Sequence, residues 1–136
     1  MIVADTNLLA YLLIQGEHTP AAQRVLSRDA EWAAPALWRS ELRSVLVGRL
    51  RRGDIGLPEA AEVMDTAQLV LGGREYLVQS SRVFALAAAS ACSAYDCEFV
   101  ALAQALAVPL VTADRDVQRA FPKIAVAPDR FGGGLR

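Results

Sequence analysis

Apolar positions along the chain fall into two kinds of pattern. Short unbroken runs end at an acid, and longer stretches repeat at helical spacing. Met1–Ala4 is a run of the first kind, suited to a strand buried on both faces of a parallel sheet. Asp5, Thr6 and Asn7 follow, all favoured at helix N-caps, and Leu8, Leu9, Tyr11, Leu12 and Leu13 then read as a helix. Thr19-Pro20 predicts an N-cap with proline at the first helical position, continued by Ala21 to Leu26. Trp32–Pro35 reads as a short strand. Leu37 to Arg52 reads as a long helix, closed by Gly53, with Trp38, Leu42, Val45 and Leu46 on its buried side. Pro58 opens another helix, which Gly72-Gly73 ends. Ser80 or Ser81 caps the next, with Val83, Phe84, Leu86 and Ala87 facing the core. Tyr95–Ala107 is a further helix. Pro109–Thr112 is a strand that runs toward Asp114, Arg115–Phe121 a short helix and Lys123–Ala127 a last strand. This alternation predicts an α/β domain with a central parallel sheet and helices on both faces. No repeat or linker interrupts it, so residues 1–130 read as one domain and 131–136 as a flexible, glycine-rich tail.

Composition narrows the function classes. With 136 residues, 54% hydrophobic and 21% charged, the chain can bury a core without disulfides or a structural metal. Its net charge is −1, unlike a basic protein that coats nucleic acid, although local patches matter more than the sum for a nucleic-acid substrate. His18 is the only histidine, and Cys92 and Cys97 lack zinc-ligand spacing. Histidine-dependent triads and zinc hydrolases are thereby set aside, and any chemistry must run on carboxylates, hydroxyls or backbone. The absence of a disulfide framework or a signal-peptide pattern points to the cytoplasm. The longest nearly apolar stretch, Val83 to Ala91, is too short to span a bilayer, so no membrane association is expected.

The acids carry the candidate chemistry. Sites in open parallel sheets form at the carboxyl ends of strands, and Asp5 and Asp114 both follow strands. If those strands are neighbours, the two carboxylates lie side by side; each also fits a simple capping role. Glu41 lies on the helical line Leu37, Glu41, Val45, beside an apolar stripe, where an unpaired buried carboxylate would cost several kcal/mol, roughly. It must therefore reach the edge, pair with a neighbour such as Arg39 or Arg43, or hold a metal. Asp96 opens its helix ahead of Phe99, Val100 and Ala103, and Glu98 competes with it because Ala101 and Leu102 are also apolar. Four acids from four segments, with almost no histidine, suit the oxygen-seeking ions Mg²⁺ and Mn²⁺. A bound ion relieves the repulsion among the carboxylates and acidifies water for attack on a phosphodiester.

The ordered set Val3-Ala4-Asp5-Thr6-Asn7, Ser40-Glu41-Leu42, Tyr95–Ala103 and Leu110-Val111-Thr112-Ala113-Asp114-Arg115-Asp116 resembles PIN-domain proteins, and among them VapC-type ribonuclease toxins. The resemblance covers nearly the whole chain. It implies a three-layer α/β/α fold and metal-dependent cleavage of single-stranded or looped RNA, using one or two Mg²⁺ or Mn²⁺ ions. Carried over by motif, Asp5, Glu41, Asp96 and Asp114 form the acidic quartet, and the resemblance selects Asp96 over Glu98. Asp116 matches an additional acid of many relatives and equally fits a solvated first helical turn. Thr6, Asn7 and Thr112 match positions that support the metal or the attacking water. A homodimer and a small antitoxin that covers the site are the partners the resemblance implies.

Other residues admit plainer readings. Arg49, Arg51 and Arg52 fit phosphate contacts and equally fit a solvated helix end. Trp38 and Tyr11 read as core or dimer contacts rather than base-stacking groups, His18 as a surface residue, and the two cysteines as small core residues. A phospho-accepting receiver domain is disfavoured, because position 4 is Ala, position 7 is Asn and Lys123 precedes its strand. A catalytically silent PIN-like module that binds RNA or protein, or a PIN nuclease with no toxin role, remains the alternative.

Overall fold

A computed structural model describes residues 1–133. In chain order the elements are β1 (Ile2–Ala4), α1 (Thr6–Leu13), α2 (Thr19–Arg28), β2 (Trp32–Pro35), α3 (Trp38–Arg51), α4 (Leu57–Leu71), β3 (Glu75–Tyr76), α5 (Ser80–Ala88), α6 (Ala94–Leu106), β4 (Leu110–Val111), α7 (Arg115–Ala120), β5 (Ala125–Val126) and α8 (Pro128–Phe131). The strands form one sheet in the order β3-β2-β1-β4-β5, and every pairing is parallel. The order reverses at β1, where β2 lies on one side and β4 on the other. A crevice at such a reversal, outside the carboxyl ends of the strands, is where doubly wound sheets bind ligands.

The strand side chains alternate between two cores. Ile2, Ala4, Trp32 and Ala34 join the cluster beneath α1, α2, α3 and α4, whereas Val3 and Ala33 join the one formed with α5, α6 and α7. Both faces of β1 and β2 are thus covered, giving the three-layer α/β/α arrangement. This explains why their sequences read as unbroken apolar runs rather than alternating ones. No helix among the described residues is long and apolar enough to cross a membrane.

Several local expectations shift. The edge strand β3 is an addition to the expected elements: it is two residues long and opens on the charged Glu75. Glu75 in it accepts hydrogen bonds from Arg39 Nε (2.7 Å), Arg39 Nη2 (3.2 Å) and the indole of buried Trp38, tying the sheet edge to α3. Phe84, expected in the core, is 69% exposed on α5. Thr19 is buried at the start of α2, but its hydroxyl accepts from the Gly16 amide (3.0 Å) and donates to the Tyr11 carbonyl (2.7 Å) instead of capping the helix. Phe131, expected in the tail, ends α8 and packs on the α1–α4 core with the Arg28 guanidinium 4.9 Å from its ring centroid. The rest of the expected tail, beyond residue 133, lies outside the described residues.

Candidate active site

The register of β1 against β4 pairs Ala4 with Val111, so the chain leaves both strands at the same level. Asp5 and Thr112 therefore meet directly. The Thr112 hydroxyl donates to Asp5 Oδ2 at 2.5 Å and accepts from the Asp114 amide at 3.1 Å. Asp5 Oδ1 accepts from the Leu8 amide at 2.8 Å, so Asp5 caps α1 as well. Asp114 Oδ1 does the same for α7, accepting from the amides of Asp116 (2.9 Å) and Val117 (3.1 Å). Capping and site-forming roles coexist in both acids, because a strand end and a helix start are one place in this fold.

Two helices bring the other carboxylates. Glu41 lies in the first turn of α3, and its Oε1 accepts from the buried Thr6 hydroxyl at 2.7 Å. The expected pairing of Glu41 with Arg39 does not arise, since Arg39 is committed to Glu75. Asp96 is in the first turn of α6, held there by the Ser93 hydroxyl, which caps the helix by accepting from the Asp96 amide at 3.0 Å. Asp5, Glu41, Asp96 and Asp114 all line one open cavity of about 340 Å³, together with Thr6, Asn7 and Thr112. Ser44, one helical turn beyond Glu41, also lines it. Sequence reasoning passed over Ser44, though its i+3 position from Glu41 was the available signal.

Two sequence candidates lie elsewhere. Glu98 lines a different cavity, with Tyr76, Val83 and Phe84, and burial and the nearby Glu41 charge raise its pKa. Asp116 is 81% exposed, pairs with Arg119, and is not part of the acidic cavity.

Among the described residues, no lysine or arginine lines the acidic cavity. The consequence appears at Asp5, whose pKa rises from 3.8 to about 6: burial is the main cause, the Asp114 charge adds to it, and the Thr112 and Leu8 hydrogen bonds oppose it. An all-oxygen donor set with uncompensated negative charge has the chemistry of a hard divalent cation site. Among the described residues, no three such acidic side chains converge closely enough to hold an ion in their present rotamers. Glu41 and Asp114 are each turned onto a hydrogen-bond partner of their own. The donor set fits such a cation, although the side chains are not drawn together around one point.

The PIN domain family model matches residues 2–124 of this chain. The chain belongs to the PIN domain family. The match spans all four cavity carboxylates and ends just before β5 and α8, the latter packed against α2. Over 126 residues, 90% of this chain and 96% of the relative, the protein is 28% identical to Ribonuclease VapC3 of Pyrobaculum aerophilum. A solved structure described as a toxin-antitoxin complex from Klebsiella pneumoniae contains a chain of the same fold. The TM-score is 0.66 at 20% sequence identity, covering 94% of this chain and 98% of that one.

Proposed function

We propose that this PIN domain is a metal-dependent endoribonuclease of VapC type, the toxin of a toxin–antitoxin pair in the cytoplasm. The observation that carries the reading is the meeting of four carboxylates, from the β1–α1 junction, α3, α6 and the β4–α7 connection, in one cavity that no lysine or arginine among the described residues lines. The similarity to Ribonuclease VapC3 supports RNA as the substrate. Asp5, Glu41, Asp96 and Asp114 would hold one or two Mg²⁺ or Mn²⁺ ions. Such an ion supplies acidified water and offsets the charge that builds on a phosphodiester under attack.

The protein's own groups set up that chemistry. Thr112 fixes one oxygen of Asp5 and, through the Asp114 amide, holds the second strand-end acid beside it. Thr6 orients Glu41 across the cavity. The Asp96 carboxylate has no hydrogen-bond or ion-pair partner among the described residues, which leaves both its oxygens available. Asn7, exposed at the rim, is placed to meet substrate or water. A small antitoxin and a second copy of the chain are the partners of this reading. Exposed Leu77, Phe84 and Tyr95 offer apolar area for such an assembly.

The test incubates purified protein with structured RNA in Mg²⁺ or Mn²⁺ and in EDTA, beside Asp96→Asn. Cleavage that requires metal and falls to background in the variant is the expected outcome. Full activity in correctly folded Asp96→Asn would overturn the assignment. A parent protein that neither cleaves RNA nor binds metal would leave the silent binding module as the better reading.

A further inference from the structure

A second cavity, of about 260 Å³, adjoins the acidic one. Asn7 and Val45 line both, so the two spaces are continuous between α1 and α3. Four residues further along each helix come Tyr11 and Arg49, and both line the second cavity along with His18. The Tyr11 and His18 rings are already in contact, with centroids 4.6 Å apart and planes tilted by 36°. Among the described residues lining the two cavities, Arg49 is the single arginine or lysine. Its guanidinium has no ion-pair or hydrogen-bond partner among the described residues.

We propose that the second cavity is a nucleotide subsite, which takes an unpaired base beside the scissile phosphate on the Tyr11–His18 rings and a neighbouring phosphate on Arg49. The inference rests on the ribonuclease reading and specifies which part of the RNA is held, and where. Because the two rings touch each other, a base joins them as a third ring rather than sliding between them. Stacking on aromatic rings is the general means of holding splayed-out bases of single strands and loops. The acidic cavity by itself repels a polyanion, so a cation one cavity away is where a flanking phosphate gains most. Tyr11 and His18 come from different segments, α1 and the residue preceding α2, so their pairing is a product of the fold.

The test uses the full-length protein and a short single-stranded RNA. KM and kcat are measured in Mn²⁺, and equilibrium binding is measured in EDTA over a range of salt. His18→Ala and Tyr11→Leu are expected to raise KM about 5- to 100-fold, as loss of a stacked base does, with kcat little changed. Tyr11→Phe, which keeps the ring, should match the parent. Arg49→Gln should reduce the log–log salt slope of binding by about 0.7, the signature of one lost phosphate contact on a single strand. An abasic nucleotide beside the cleaved bond should raise KM for the parent and have little further effect in Tyr11→Leu. If Tyr11→Leu folds poorly, His18→Ala decides, because that side chain is 56% exposed. Metal-dependent cleavage with unchanged KM in His18→Ala and an unchanged salt slope in Arg49→Gln overturns the subsite and leaves the nuclease standing. Loss of binding to a peptide partner alone, with RNA parameters intact, overturns it in favour of a protein contact. A parent protein that neither binds nor cleaves RNA removes both readings.

Discussion

At the scale of single residues, Asp5 is the position where folding and the proposed function oppose each other. Its carboxyl titrates at about 6 in the folded chain against 3.8 as the ordinary value, mainly because it is buried. Between those values the folded protein holds a proton that the unfolded chain has released. The stabilising contribution is therefore complete below pH 3.8 and is lost as pH rises through about 6. In EDTA, Asp5→Asn should be more stable than the parent by about 1–2 kcal/mol at pH 7, and the difference should shrink toward pH 5. Thermal melts of both proteins across pH 5–7 check this. A constant difference over that range would show that the charge of Asp5 is not the destabilising group. The substitution is sterically mild, since an asparagine oxygen still accepts from the Leu8 amide, and the Thr112 hydroxyl can turn to accept from the new amide. The same residue scale explains what the sequence left open at Asp96 and Glu98. Both begin α6 beside apolar neighbours, and a two-residue step rotates the side chain to another face of the helix. That rotation puts Asp96 in the acidic cavity and Glu98 in a separate one.

At the scale of elements, the site is assembled from helix starts. Asp5 and Asp114 cap α1 and α7, and Glu41 and Asp96 lie in the first turns of α3 and α6. Each helix N-terminus carries partial positive charge, which lowers the cost of collecting four carboxylates in one place. Apolar patterning made these starts legible: strands β1 and β4 and helices α1, α3, α6 and α7 all stand where it put them, within a few residues, and at α1 and α7 the capping preference of the strand-end acid agreed. Strand β3 and the single-turn α8 were not legible: β3 opens on the charged Glu75 rather than on an apolar run like that before β4, and one helical turn is too short to express a period. The end of α6 holds a testable weakness. Ala107 closes it in the left-handed region at φ 56° and ψ 45°, the one non-glycine among the described residues with positive φ. A Cβ there costs about 1 kcal/mol. Ala107→Gly should therefore raise the melting temperature by a few degrees with no change in activity, as differential scanning calorimetry would read. A lower melting temperature would mean that the entropy of a flexible glycine in the unfolded chain outweighs the relieved strain.

At the scale of the whole molecule, the fold brings together residues more than a hundred positions apart: the Thr112–Asp5 hydrogen bond joins the first strand to the fourth. If the cavity takes a divalent cation, binding must stabilise the folded state by mass action, since the unfolded chain holds no such cluster. Mg²⁺ or Mn²⁺ at about a hundred times its dissociation constant should add about 2.7 kcal/mol to the parent protein. The melting temperature of an Asp5→Asn, Asp114→Asn double variant should stay unmoved by the same addition. An equal rise in both proteins would place the ion elsewhere. The sequence by itself determined the fold class, most of the helix and strand starts, and the choice of four candidate acids, because apolar period, caps and ordered motifs are local properties of the chain. Tertiary structure alone decided that β1 and β4 are neighbours in register, that Thr6 holds Glu41, that Asp116 stays outside the cavity, and that Tyr11, His18 and Arg49 line a second one. Those facts depend on which strands pair and which helix faces meet. Strand pairing and helix contact are set by the packing of two apolar cores across one sheet, and no short stretch of sequence contains both partners.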